Sequence, residues 1–593
     1  MGIIRILRCD VWGKTMPRAL VRGRLGFQAA GKPRASYFAV PSIAAAAFAT
    51  LLVVLPSPFT DPIETGSTFE VRRIDGSENH LDNPRLGAAG SDYRRQIESD
   101  EVLDFQRPHP REVSNRVHGV PEEVWTQPDP QGRSVLFAVF GQFLSHDITL
   151  RAKLQRPRFV RVQGGDPMFS AGAMLPYHSN APHPLTSQSF NRVTAWIDAS
   201  MVYGSDVCRA AALRSFVGGR LRISDGEQLP IYGRDIERQV CVAPAIEFPG
   251  CPEELENENP RREPPTALFL AGDVRANENP VLLSLHTVFL REHNRRAQEL
   301  KENHPDWTDE QLYQEARRWV GALLQAITYE EYLPILLGRH VMPPRVRYRP
   351  ELAGQVSVEF AAAAFRFGHS QLGPTLFRNA PDGTRFEFSD VSLKAGFFAT
   401  PVYLQAGGGP GAWLLGASAF RAQAVDRFVI DDLRNYMFGG LRGGLDVATI
   451  NIAVGRETLS GGWNDYRRAF GLPSSESFEA LVPDPELAAA LKALYGEVNL
   501  LDPWVALLVE SSPQSHEGSV HGETLRGALV DAFVRLRDGD RFFYEHDPAL
   551  RALRVTIRQT RLSDVIQRNL RGRYTTGTLS EEVFLSQIEE PRR

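Results

Sequence analysis

Apolar residues recur at three- and four-residue spacing along five stretches of this chain, at 134–147, 280–303, 308–337, 356–370 and 524–542. That spacing lines one face of a helix. Strict alternation, the mark of a half-buried strand, is scarce. The pattern predicts a mainly α protein with very little β. Its helices and long loops form one large domain from about residue 85 to 590, with no break that divides the span. Residues 57–133 lack a period and are rich in Pro, Arg, Asp and Asn. They predict irregular chain laid over a surface, with 57–84 as a linker.

The N-terminus departs from this pattern. Residues 1–36 form a basic leader with Arg5, Arg8, Lys14, Arg18, Arg22, Arg24, Lys32 and Arg34 against the single acid Asp10. Residues 37–56, "YFAVPSIAAAAFATLLVVLP", carry no charge. Such a stretch is long enough to cross a bilayer as a signal anchor, with its basic flank on the cytoplasmic side. A secretory signal peptide is the other reading, although no clean small-x-small cleavage site follows. Either way, the chain beyond about residue 60 is expected outside the cytoplasm, secreted or membrane-anchored. The net charge of −4, from 67 basic and 71 acidic residues in 593, supplies no global attraction for nucleic acid. Of four cysteines, Cys241 and Cys251 bracket a short loop that a disulfide would close in an oxidising compartment. Cys208 would then stay unpaired, and Cys9 lies in the leader. No CxxC pair is present, so a thiolate metal site is not expected.

Several polar residues interrupt the apolar runs. In "FAVFGQFLSHDITL", Gln142 and His146 are four apart and share a helix face, while Asp147 points about 100° away. The loop "NRVTAWIDASMVYGSD" spaces Thr194, Asp198 and Ser200 evenly. In extended chain these would line one edge with alternate carbonyls, a set of hard oxygen donors suited to Ca²⁺. Asp147 would add a second carboxylate. Arg275 and Glu278 in "LFLAGDVRANENP" stand just ahead of a long helix. His369 closes the small-residue stretch "AAAAFRFGHS", where alanines allow something bulky and flat close to the backbone.

Together these segments resemble the animal-type haem peroxidases. "FGQFLSHDI" is similar to the family's distal-histidine helix, "TAWIDASMVYGS" to its calcium loop and "FLAGDVRANENP" to its catalytic-arginine segment. "LHTVFLREHNRRAQELK" resembles the following helix, "AFRFGHS" the proximal-histidine helix, and "RLRDGDRFFYE" and "TRLSDVIQRN" the C-terminal signature. The segments occur in family order across about residues 85 to 570. The resemblance implies haem b and Ca²⁺ as cofactors, and hydrogen peroxide and small reducing donors as partners. It implies His146 as distal acid–base, Arg275 as distal arginine, and Gln142 as the glutamine contacting water or halide. His369 would be the axial iron ligand with Asn451 as its hydrogen-bond partner, and Arg366 would pair with a haem propionate. Asp147, Thr194, Trp196 (through its carbonyl), Asp198 and Ser200 would bind calcium.

The pattern also breaks. Ser145 replaces the aspartate that forms one haem ester in the family, so that link is expected to be absent. Glu278 matches the second ester-forming carboxylate. Asn279 replaces a methionine that in some members bonds haem through sulfur. Fewer links imply a lower potential, and donors such as bromide, iodide, thiocyanate or phenols rather than chloride. After Asn451, "RETLSGGWNDYRR" replaces the usual "RDHGLPxYNxxR", keeping Arg456. A fatty-acid oxygenase of the cyclooxygenase type shares this architecture, but it needs a tyrosine three residues before the proximal histidine, where Arg366 stands. An adhesion or matrix protein on a peroxidase scaffold is the other alternative, and no RGD tripeptide supports it.

Overall fold

Each of the first four predicted helices begins at a side chain able to cap it, and the structure uses all four. The computed structural model describes residues 70–99, 103–121, 127–224, 229–233, 251, 255–260, 263, 267–345, 347–380, 390–405, 408–439, 443–510, 522–570 and 579–588. Residues 1–36 and 37–56, with Cys9 and Cys241, lie outside that set. Among the described residues no helix is long and apolar enough to cross a membrane.

Helix α1 spans Pro110–Val117 and α2 spans Val135–Ile148. Ser134 Oγ accepts Phe137 N–H at the start of α2 and donates to Val583 O. Helix α3 (Pro280–Asn303) starts on Asn279, and α4 (Asp309–Ala326) on a Thr308–Gln311 capping box. The chain continues from α4 through a π-turn, Ile327–Tyr332, to Leu337. Helix α5 (Val358–Ala362) is capped by Ser357. Asp446 caps α6 (Val447–Thr458), while α7 (Glu523–Asp538) and α8 (Leu562–Asn569) complete the frame. Among the described residues strands amount to two short antiparallel pairs, Arg158–Arg161 with Met174–Tyr177 and Thr375–Leu376 with Val391–Ser392. The mainly α expectation holds.

α2 is the central element, packed on α3 and on the helix Gly409–Ala419. Leu136, Phe137, Phe140, Phe143 and Leu144 are fully buried, so α2 is surrounded on most sides as an apolar helix should be.

Four expectations change. The stretch 356–370 is not one helix: it breaks at Ala363 (φ −132°, ψ −65°) and continues as a 3-10 segment, Ala364–His369. The supposedly irregular residues 57–133 contain α1, whose Arg111 is buried on Asp166 and Asp446. Residues 70–84 are not a free linker. Arg72 and Asn79 bond Asp540, and Trp196 Nε1 donates to Gly76 O. Finally, Cys251 pairs with Cys208, not with Cys241, at a Cα–Cα distance of 5.5 Å. Cys208 sits on the helix Val207–Leu213, and folding brings it to Cys251 across 43 positions of sequence, so proximity along the chain misled.

Candidate active site

One stripe of α2 lacks large apolar side chains. Ala138, Gly141, Gln142, Ser145, His146 and Thr149 follow helical spacing and line one wall of a cavity of about 290 Å³. The facing wall carries Ala361, Ala362, Phe365, Arg366, Gly368 and His369. The structure thus brings His146 and His369 to one cavity. Gly141 is required there, because a Cβ would lie 2.5 Å from Tyr332 Oη.

On the α2 side, a buried carboxylate organises the polar groups. Asp273 accepts from Arg275 Nε at 2.9 Å, Arg275 Nη2 at 2.7 Å and Arg275 N at 2.7 Å. Its Oδ1 also stands 3.4 Å from His146 Nδ1, a charge contact rather than an aligned hydrogen bond. Arg275 Nη2 donates further to Thr149 O at 3.0 Å. Burial, and then Arg275, hold the His146 pKa well below the usual imidazole value, so its ring is neutral at pH 7. Burial would raise Asp273, but the charge and hydrogen bonds of Arg275 outweigh it and keep the carboxylate ionised. Glu278 is pushed up to about 7 by burial and by Glu258. Asn279 caps α3 and also donates to Gln142 Oε1 at 3.3 Å.

On the opposite side, Asn451 Nδ2 lies 2.8 Å from His369 Nδ1, and Arg366 Nη1 donates to Asn451 Oδ1 at 2.6 Å. A guanidinium can only donate, so it fixes the amide with its oxygen toward Arg366 and its NH₂ toward the imidazole. Burial and Arg366 lower the His369 pKa to about 3. Arg456, at the end of α6, is clamped by Asp502 at 2.8 Å. The unusual turn after it relies on Gly461 at φ +74° and on Gly462 N donating to Asp465.

The 194–200 loop is folded, not extended. Asp198 Oδ1 accepts from Thr194 Oγ1 at 3.0 Å and Ser200 N at 3.1 Å, and Ala199 is left-handed at φ 63°. Asp147 Oδ2 accepts the Asp198 and Ala199 amides, and Ser200 Oγ donates to Asp147 O at 2.7 Å. Thr194 Oγ1 is 3.5 Å from Trp196 O. Asp147 Oδ1 and Asp198 Oδ2 are buried without a partner. Burial raises both carboxyl pKa values, and Asp198 raises that of Asp147 further. No group of three or more His, Cys, Asp or Glu side chains forms a metal cage among the described residues. A cation here would rely on hydroxyl and carbonyl oxygens as well.

Of the twelve sequence-predicted site residues, six line the cavity, Asn451 bonds His369 beside it, and the other five gather at the 194–200 loop behind α2. Sequence reasoning missed Asp273, Tyr93 and Arg151, all of which border this region. Only Asp273 left a trace, as the acid of the Gly-Asp turn two residues before Arg275.

A mainly helical frame with two histidines lining one cavity, one of them beside a braced arginine, is the arrangement that the sequence resemblance to haem peroxidases implies. The family model for animal haem peroxidase matches residues 71–584, and the chain belongs to that family. It is 29% identical to peroxinectin A of Dictyostelium discoideum over 86% of this chain and 95% of that one. Lactoperoxidase of Mesocricetus auratus is 33% identical over 80% of this chain and 72% of its own. The solved structure of peroxidase A from Dictyostelium discoideum superposes with a TM-score of 0.76 at 28% identity, covering 88% of this chain and all of that one. Fatty acid alpha-dioxygenase of Oryza sativa shares the fold, with a TM-score of 0.70 at 21% identity, covering 88% of each chain.

Proposed function

We propose that the protein is a haem peroxidase that reduces hydrogen peroxide at the cavity between His146 and His369 and oxidises a halide, a pseudohalide or a small aromatic donor. The observation that carries this reading is the pairing across that cavity: neutral His146 beside Asp273-braced Arg275 on one wall, and Asn451-bonded His369 on the other. The cavity suits a flat dicarboxylate macrocycle, with Ala138, Gly141, Ala361, Ala362 and Gly368 leaving room along its walls.

Bound haem supplies the redox chemistry, and the chain supplies position and field. His369 would hold the iron, Arg366 would pair with a propionate, and Glu278 is the cavity-lining carboxylate that would esterify the macrocycle. Asn451, held by Arg366 and lying 2.8 Å from His369 Nδ1, would orient the imidazole so that its other nitrogen is free for a metal. His146, kept neutral by burial, accepts a proton from peroxide and returns it to the departing oxygen. Arg275 offers its positive charge to that oxygen in a cavity shielded from water, while Gln142 orients water or halide. Arg366 stands where an oxygenase needs its tyrosine, and this disfavours the fatty-acid reading. Oxygen uptake with linoleate would reverse that judgement.

Calcium is proposed at Asp147, Thr194, Trp196 O, Asp198 and Ser200, because two buried carboxylate oxygens there await a positive charge. Metal analysis of the purified protein should find it. Export is proposed as well: the Cys208–Cys251 bridge suits an oxidising compartment, and residues 37–56 would serve as signal or anchor.

The test of the main reading is an absorption spectrum of the purified chain, with peroxide-dependent guaiacol turnover. A Soret band with turnover is expected, and its absence would sink the reading. Acid–acetone extraction should leave haem on the wild-type protein and release all of it from Glu278→Gln. Bromide and thiocyanate should be oxidised faster than chloride, and efficient hypochlorous acid formation would contradict that ranking.

A further inference from the structure

Buried arginines in this protein are generally matched to carboxylates: Arg111 to Asp166 and Asp446, Arg133 to Asp129, and Arg456 to Asp502. Two arginines lining the cavity break that habit. Arg366 donates only to Asn451 Oδ1 and to Ala361 O at 3.2 Å. Arg151, on the chain leaving α2, donates Nη1 to Asn180 Oδ1 at 2.9 Å, and neutral Thr458 and Ser189 hold Asn180 in turn. The acids nearest Arg151 are engaged elsewhere, Glu258 with Lys153 and Glu457 with Arg158. Two guanidiniums thus face one cavity, oriented by neutral partners and matched to no carboxylate among the described residues.

A desolvated cation without a counter-charge is costly unless a ligand supplies one. The electrostatics agree. Burial and Arg151 push the Arg366 pKa down to about 9, still protonated at pH 7, and burial lowers Arg151. Tyr93, which also lines the cavity, is raised to about 12 by burial and pulled back by Arg275, Arg151 and Arg366 together, so the two cations share one region of field.

We propose that Arg151 and Arg366 form a two-cation seat for both propionates of the bound porphyrin, with Arg151 taking the carboxylate that Arg366 does not. This rests on the haem reading above and adds a residue that neither its motifs nor its neighbours assign. Arg151 binds and orients the group; it takes no part in proton transfer. The seat also selects among ligands: a porphyrin with esterified side chains lacks the charges it answers.

The test uses full-length protein produced without haem and titrated, free of peroxide, with haemin and with haemin dimethyl ester, following the Soret band. Circular dichroism and a thermal melt verify that each variant is folded. Arg151→Gln is expected to weaken haemin about 10- to 100-fold, the range for losing a charge-assisted pair, and Arg366→Gln similarly. The dimethyl ester should bind wild type that much more weakly than haemin does, and Arg151→Gln should change ester affinity less than about twofold. Unchanged haemin affinity in folded Arg151→Gln overturns the proposal and leaves the haem reading intact. Equal weakening of haemin and ester does the same, because it assigns Arg151 a merely structural role. No Soret band with wild type and haemin would overturn both.

Discussion

At the scale of single residues, Asp273 ties together the two groups proposed to act on peroxide. It is 1% exposed, holds Arg275 by two side-chain contacts and lies against His146. Asp273→Asn keeps the shape but removes the charge, so Arg275 loses its bidentate brace. The rate of the absorbance change on mixing with peroxide should fall by about 10- to 100-fold with haem retained. A wild-type rate in that variant would show that the brace is dispensable. His146→Gln should lower the same rate by about 10²–10⁴-fold. Because burial and Arg275 depress the His146 pKa, the ring is already neutral below the usual imidazole range. The peroxide rate constant should therefore be flat from pH 6 to 8, and an inflection near the ordinary histidine value would contradict this environment.

At the scale of elements, α2 and the π-turn meet at one close approach. The Tyr332 ring is locked by stacking on Phe137 at 4.5 Å and by Phe140 and Phe584, so its hydroxyl cannot yield to a new Cβ at position 141. Gly141→Ala is expected to destabilise by about 1–3 kcal/mol, despite the roughly 1 kcal/mol that alanine gains by helix propensity. Tyr332→Phe removes a buried hydroxyl that has no partner, and in that background Gly141→Ala should become neutral or stabilising. Urea unfolding of the four proteins measures the cycle.

α2 itself was legible, since its polar residues keep helical register inside an apolar run. The break at Ala363 was not: four alanines favour a helix, yet Ala363 leaves helical angles and the chain tightens into a 3-10 segment. Helix α1 was hidden because its inward face carries Arg111, a charge whose partners lie far along the sequence. The chemistry followed the same division. His146, Arg275, His369 and Asn451 were visible through resemblance, because each sits in a recognisable local string. Asp273 and Arg151 matter through what surrounds them in space, and no local string records that.

At the scale of the whole molecule, stability should track pH through buried imidazoles. Burial depresses His118 to about 4, His286 to about 4 and His293 to about 3, below the unfolded value near 6.5. The unfolded chain therefore binds more protons between these limits, and stability is lost as pH falls from about 6.5 toward 4 and below. Each group contributes on the order of 3 kcal/mol across that window. The His118 ring packs against Trp504 at 4.7 Å with a 36° tilt, so His118→Phe keeps the ring contact and should flatten the urea-midpoint slope against pH.

Removing the calcium proposed at Asp147 and Asp198 should act with the opposite sign. Metal-free, Asp147 and Asp198 have raised pKa values, so the chelated protein loses stability as pH rises through them. The drop in melting temperature on adding EGTA should be larger at pH 8 than at pH 5.

Asp540 sets a practical boundary. Its carboxylate receives Arg72, Asn79 and Gln325, and Gln325 also donates to Ile197 O within the proposed cation loop. A fragment trimmed to begin at residue 85, where the sequence-predicted domain starts, would strip Arg72 and Asn79 from that carboxylate and remove the Gly76 carbonyl from the Trp196 indole. An endoprotease clipping there would disable the protein while leaving every cavity residue in place, so shortened versions should keep the chain from residue 70 onward.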